Sequence, residues 1–380
     1  MEQEYTISTG WRIFYGLVAT MLIGFPFFTV TKFTAETLFA AALLLTSGAM
    51  ILINQFKSKV RITDASIIRT TVFGTTELFF TDIKGFRVGD KVIIIEPLNS
   101  GYKKLKINDY SSIGDVKELI NWLQNNFKDL ALEEFAAQKE EILHNTDLGF
   151  SEQDREAKFK RMANLSMVYN LAGIGFIFLF IYAFIDSRYP DVFLLLYPLI
   201  GIVIVYFSKG LVTLISKRSS AYTNVILGLY TGVLMLIARS FTYYHITNKS
   251  NLAIPAVVLS LPVLSVLIFR GFNKTYNSRL GQLLLMLILS GGYGVGAALN
   301  INCFFDSTEP TVYAVTVTDR HISHKKTTTY HIQLSGWNDH SEGESITVPA
   351  SFYNQAVIGS KVHVMEKPGL FKMPWYYVSQ

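Results

Sequence analysis

Between Arg279 and Asp306 the chain reads LGQLLLMLILSGGYGVGAALNINCFF (280–305), 26 residues without one Asp, Glu, Lys or Arg. At 1.5 Å per residue such a helix is about 39 Å long, enough to cross a hydrocarbon core of roughly 30 Å. Six more uncharged intervals share the pattern: Arg12 to Lys32, Glu36 to Lys57, Arg161 to Asp186, Asp191 to Lys209, Arg218 to Arg239, and Lys249 to Arg270. Backbone polar groups in lipid must be satisfied within the segment, so each interval predicts a helix. The fourth carries Pro198, and the sixth Pro255 and Pro262, residues that membrane helices accommodate. The expected fold is thus an α-helical multi-pass membrane protein with about seven transmembrane helices.

Basic residues flank these intervals asymmetrically. One side collects Lys57, Lys59 and Arg61; Lys158, Lys160 and Arg161; Lys209, Lys217 and Arg218; and Arg270, Lys274 and Arg279. The other collects only Lys32, Arg188, Arg239 and Lys249. Cations next to spans stay in the cytoplasm, which predicts a cytoplasmic N-terminus and an extracytoplasmic C-terminus. Residues 1–10 carry Glu2 and Glu4 in place of a basic leader, so the first apolar run reads as a span, not a cleaved signal. The net charge of +5 needs no nucleic-acid partner, because the cytoplasmic edges of the spans hold most of the excess. One cysteine, Cys303, permits no internal disulfide.

The expected organisation has five parts. Residues 1–56 form a transmembrane hairpin (spans about 13–31 and 37–56), 57–130 a cytoplasmic domain, 131–161 a helical linker, 162–305 a five-helix membrane bundle, and 306–380 a small extracytoplasmic β-domain. In 57–130, short β-rich runs (60–64, 66–72, 77–80, 92–95, 103–107) precede a helix marked by Val116, Leu119, Ile120, Leu123 and Phe127. In the linker, 132–144 suits a helix, and Ser151 with Asp154 has the spacing of a capping box that starts another. Beyond 311, runs at 312–317, 327–334, 345–348, 361–365 and 375–378 alternate with Gly and Pro-Gly turns, as in a small antiparallel barrel or sandwich of OB type.

The strand order of 57–130 resembles a pleckstrin-homology-like (PH-like) domain of the bacterial membrane-protein type. Ile62-Thr63-Asp64, Gly74, Phe80-Thr81-Asp82-Ile83 and the helix around Trp122 carry the resemblance, over about a fifth of the chain. Likewise, Gly359-Ser-Lys-Val-His-Val ahead of Pro368-Gly369-Leu370 is similar to small domains appended to bacterial membrane proteins. These resemblances imply an α+β cytoplasmic domain and a bacterial inner-membrane location. PH-like domains elsewhere bind phosphoinositides or protein partners, but a ligand does not transfer with a fold.

Candidate site residues are few. Lys57, Lys59, Arg61, Lys103, Lys104 and Lys106 are candidates for lipid headgroup contact, against the ordinary alternative of membrane-edge anchors and a solvated edge strand. Asn170 and Asn224 are candidates for a polar path through the bundle, against interhelical hydrogen bonding. Five of seven histidines follow residue 306. His321, His324 and His331 are the metal candidates, but His321 and His324 have opposite strand parity and no cysteine or HExxH motif accompanies them, so no metal and no cofactor is expected. Gly292 and Gly296 have the spacing for close helix approach, within the bundle or at a dimer face; a homo-oligomer is left open. Arg239 reads as an interfacial arginine on a lipid phosphate. No catalytic motif is found. The expected function is a non-enzymatic inner-membrane scaffold or signalling component whose partners are the bilayer, a protein or anionic leaflet at the PH-like domain, and an envelope component at the β-domain. The alternative is a transporter or channel subunit for a neutral or lipidic solute.

Overall fold

The computed structural model describes residues 2–29, 34–89, 91–99, 101–183, 190–217, 219–273, 276, 278–324, 328–338 and 342–379. Lys32, Asp186, Arg188, Arg218 and Lys274, named above, lie outside the described residues, as does the side chain of His324. The chain gathers into two compact units: Met1–Glu140 with Arg218–Ala221, and Glu141–Lys217 with Tyr222–Gln380. The expected segments 1–56 and 57–130 fall together in the first unit; the linker is divided between the two.

The first unit begins with strand β1 (Gln3–Thr6), which the sequence reading passed over. Helices α1 (Thr9–Thr29) and α2 (Ala35–Lys57) follow as a hairpin. Ala19 of α1 is fully buried, and a side chain at Gly48 would meet Ile23 Cγ1 at 2.6 Å, so the two helices touch through small residues. The chain then returns through β2 (Lys59–Ile62), which pairs antiparallel with β1, Glu4 opposite Arg61. Strands β3 (Ser66–Thr71) and β4 (Gly74–Phe79) complete a four-stranded sheet, β1-β2-β3-β4. A second sheet holds β5 (Ile83–Val88), β6 (Val92–Pro97) and β7 (Leu105–Asn108). Helix α3 (Val116–Asn126) covers both with Leu119 and Leu123, against a core that includes Ile67, Phe86, Ile93 and Ile107. Helix α4 (Leu130–His144) contains the unit boundary.

In the second unit, Ser151 and Asp154 form the expected reciprocal cap: the Asp154 amide donates to Ser151 Oγ at 3.1 Å and the Ser151 amide to Asp154 Oδ2 at 3.1 Å. Helix α5 (Glu152–Ala183) starts there and runs unbroken from its charged first turns into the apolar interval. Next come α6 (Pro190–Phe207), two-residue strands β8 (Val212–Thr213) and β9 (Thr223–Asn224) paired in parallel, and α7 (Ile226–Thr242). Helix α7 thus starts well after the Arg218 marker. Residues 219–225, rich in Ser, Tyr, Thr and Asn, stay out of the helix as turns, bends and the short strand β9. After β10 (His245–Ile246) come α8 (Ala253–Arg270) and α9 (Arg279–Phe304). Gly292 and Gly296 face Val233, Leu236 and Ile237 of α7, while Gly294 abuts Ala256 of α8. That spacing is therefore used in packing within the bundle.

The C-terminal sheet contains β11 (Thr311–His324), β12 (Thr328–Leu334), β13 (Glu344–Val348), β14 (Lys361–Lys367) and β15 (Trp375–Ser379), with helix α10 (Ala350–Gln355) between β13 and β14. Its order is β10-β15-β14-β11-β12-β13. Thr311–Thr316 of β11 pair with β14, and Val317 onward with β12 across a register shift between Val317 and Asp319, so one long strand serves both halves of a curled sheet.

Four described helices are long and apolar enough to cross a membrane: Thr9–Phe27, Ala35–Lys57, Ala253–Arg270 and Arg279–Phe304. Asp191–Phe207 and Ile226–Thr242 are apolar but shorter. The architecture is a mixed α/β fold with a membrane-like helical part. Gly48→Leu should force α1 and α2 apart and lower stability by about 1–3 kcal/mol; thermal unfolding of the full chain in detergent checks this, with Gly48→Ala as the milder comparison.

Candidate functional site

The residues that join the helices to the C-terminal sheet cluster where α9 ends. Asn302 lies in the last turn of α9, and its side chain donates to Met373 O at 2.8 Å while accepting from the Phe371 amide at 2.9 Å. The Asn302 carbonyl accepts from the Leu370 amide at 3.0 Å. Two residues beyond the helix, the Asp306 carboxylate accepts from the Gly369 amide and Trp375 Nε1, both at 2.9 Å, and from the Thr308 amide and hydroxyl. Burial pushes the Asp306 carboxyl up, but the bonds from Thr308, Trp375 and Gly369 outweigh it and hold the group below its ordinary value. From the other side β10 pairs with β15, His245 opposite Tyr376, and the two rings stack at 5.0 Å. The sheet is therefore held to the helices by main-chain pairing and by two side chains saturated with hydrogen bonds.

Beneath this junction sits a buried ion pair. Asp191, at the start of α6, is 0% exposed and Arg239, in the last turn of α7, is 1% exposed. Arg239 Nε donates to Asp191 Oδ1 at 3.0 Å, Asn300 Nδ2 to the same oxygen at 3.1 Å, and Tyr244 OH to Oδ2 at 3.0 Å. The Tyr243 ring lies 3.4 Å from the Arg239 guanidinium carbon, and Tyr244 meets Trp375 edge-on at 5.6 Å. Arg239 is therefore not a lipid-facing arginine: its charge is turned inward because Asp191 supplies the counter-charge there. With each carboxylate oxygen already accepting a bond, the ion pair fixes helix positions, while Asn300 Oδ1 is buried without a partner among the described residues.

Asn170 and Asn224 do meet, but as a structural bond. Asn170 Nδ2 donates to Asn224 O at 2.8 Å, the Gly228 amide donates to Asn170 Oδ1 at 2.8 Å, and Asn224 Nδ2 donates to Ser216 Oγ at 2.8 Å. Of the headgroup candidates, Lys59 and Arg61 converge on Glu4 (3.2 and 3.0 Å), and Lys104 pairs with Glu96 at 3.0 Å. Arg61 first, and then Lys59, hold the Glu4 carboxyl below its ordinary value by hydrogen bonding. Lys57, Lys103 and Lys106 are exposed. His321 and His331 are cross-strand partners with rings stacked at 4.7 Å, and His331 also bonds Thr329 and Thr347. Among the described residues no group of three His, Cys, Asp or Glu is placed to hold a metal ion. Sequence reasoning missed Arg69: it is 8% exposed on β3, its burial lowers its pKa, and its Nε has no partner among the described residues. Only its position opposite Val60 in the sheet reveals this.

Past the other end of α6 and α8 a polar cavity of about 350 Å³ is lined by Glu141, Asn145, Lys209, Tyr222, Arg270 and Asn273, among others. Comparison with known proteins adds no relative: no family model, no curated protein and no solved structure matches the chain.

Two outcomes follow. Asp191→Ala, which strands Arg239 in the interior, should cost about 3–5 kcal/mol, whereas Asp191→Leu combined with Arg239→Met should recover most of that loss; thermal unfolding of the two variants decides. For Asp306 the folded pKa lies below the unfolded value of about 3.9, so its contribution is complete above that pH and fades as the pH falls through the folded value. Hydrogen exchange of residues 367–375 should accelerate on acidification below about pH 4 in wild type, and Asp306→Asn should remove that acid-dependent step.

Proposed function

We propose that the protein is a non-enzymatic, multi-pass scaffold or signalling component of a bacterial inner membrane, crossing it about seven times. Its N-terminal domain, of PH-like type, faces the cytoplasm, and its C-terminal β-domain, of OB type, faces the envelope. The observation that carries this reading is the junction at the end of α9: the β-domain is fastened to the helices through Asn302, Asp306 and the β10–β15 pairing, so it is presented as a fixed platform.

Other features support the parts. A meander of antiparallel strands closed by one amphipathic helix suits the PH-like domain. A shared, bulged first strand, a three-strand meander, a helix before the fourth strand and a final hairpin suit an OB-type sheet. Pairing of β1 with β2 requires the α1–α2 hairpin to end on the side where it began, which fits two crossings. Five crossings by α5 to α9 would leave the β-domain on the opposite face of the membrane from the N-terminal domain. The transporter alternative has less support, because Asn170 and Asn224 are bonded to backbone and side chain within the fold.

Single cysteines at Asn99 and Ser345, both exposed, in a Cys303→Ala background test the topology. A membrane-impermeant maleimide on intact cells should label Ser345→Cys and reach Asn99→Cys only after lysis. Equal accessibility of both would refute the two-sided scaffold.

A further inference from the structure

Two hollows meet at the Phe207 and Arg270 ends of α6 and α8. The polar cavity of about 350 Å³ described above is one. The second, about 390 Å³, is an apolar groove lined by Tyr206, Ser265, Val266, Phe269 and Arg270 on the outer faces of α6 and α8. Phe269 and Arg270 line both, so a polar chamber opens directly beside an apolar one. Phe269 is 82% exposed, and Tyr206 is also exposed, although both are large and apolar.

The charges in the chamber are unequal. Lys209 and Arg270 face a single carboxylate, Glu141, and Lys158 of α5 lies close enough to Lys209 for their mutual repulsion, second to burial, to lower the Lys158 pKa. Lys209 donates to the neutral Asp147 carbonyl at 3.1 Å, and neither it nor the Arg270 side chain forms an ion pair among the described residues. Lys209 and Gly210 both adopt positive φ (53° and 91°), which sets the turn that places the lysine at the rim.

We propose that these paired hollows bind one anionic glycerophospholipid of the cytoplasmic leaflet, with its phosphate and glycerol headgroup in the chamber against Lys209 and Arg270 and an acyl chain along Tyr206, Val266 and Phe269. The site rests on the membrane reading above, which puts these helix ends at the inner leaflet. A basic pocket between helices at that depth matches the headgroup in charge, while the exposed aromatic groove matches the chain in polarity. Neither hollow alone does both. The bound lipid would act as a strut for the turn at Lys209 and Gly210 and for Leu211, Thr213 and Tyr222, which also border the chamber.

The test is native mass spectrometry of the full, delipidated chain in a non-ionic detergent, titrated separately with phosphatidylglycerol, phosphatidylethanolamine, phosphatidylcholine and free glycerol phosphate. Phosphatidylglycerol should give a saturable single adduct, and Lys209→Gln with Arg270→Gln should weaken it about tenfold or more. Ser265→Trp, at an exposed position, keeps every charge but fills the groove, and it should weaken the same adduct; this variant guards against misfolding of the charge variant. Equal adducts from all three lipids, binding of glycerol phosphate as tight as that of the lipid, or an adduct unchanged in both variants would overturn the proposal. Alkaline carbonate extraction of membranes separates the two ideas: a chain that stays in the membrane without lipid preference defeats only the lipid site, whereas an extracted chain defeats the membrane reading itself.

Discussion

Polar groups placed away from water must find partners inside the protein, and the second unit is arranged around that requirement. Its helices α6 and α7 are separated by a non-helical stretch of turns and the short strands β8 and β9, whose backbone groups find partners within the fold. Leu214 N therefore donates to Gly271 O at 2.8 Å, and Asn273 and Gln282 exchange bonds, main chain to side chain, at 2.9 Å in each direction. Asn170 closes the next gap by holding the Asn224 carbonyl and the Gly228 amide. At the other end Asp191 gathers three donors from α7, α9 and the turn after α7. These bonds lie in the interior, where a lost partner leaves an exposed penalty of about 1–3 kcal/mol for a neutral group and more for a charged one. The short helices α6 and α7 are tied to their neighbours by this polar framework as well as by apolar packing.

The two ends of the second unit divide their polar chemistry differently. Near α9's C-terminus the groups are saturated: Asp306 and Asn302 accept and donate entirely within the fold. At the Arg270 end the cations outnumber the one carboxylate and border open space. Saturation suits a mechanical joint, and surplus charge suits a ligand. The same contrast appears in the first unit, where Glu4 neutralises Lys59 and Arg61 while Arg69 is buried without a bond from its Nε.

Much of the secondary structure was legible in the sequence because each uncharged interval has one physical reading. The expected helices near 37–56 and 280–305 match α2 and α9 to within a residue or two, and the periodic run at Leu119 and Leu123 marks α3. Misreadings arose where a residue's role depends on distant chain. The four residues of β1 show no pattern of their own, and they become a strand only because β2, beyond two helices, supplies the pairing edge. Asp191 and Arg239 both served as end markers for apolar intervals; nothing local reveals that they neutralise each other 48 residues apart. The start of α7 was misplaced because the absence of charge at 219–225 says nothing about hydrogen-bonding side chains that favour a non-helical backbone. The candidate chamber was illegible for the same reason, since Glu141, Lys209 and Arg270 meet only after folding.

Strand β1 precedes the α1–α2 hairpin and its partner follows it, with Glu4 and Lys59 separated by 55 residues. During synthesis the first strand leaves the ribosome well before its partner, and at elongation speeds of about 5–20 residues per second it waits roughly 3–11 s for β2 to appear. Both helices are synthesised by then, so the sheet can close only after the whole hairpin has been made. The four-stranded sheet thus works as a clasp fitted last. Once closed, it removes the freedom of the chain on either side of the hairpin, and extraction of the two helices would require that finished sheet to open first.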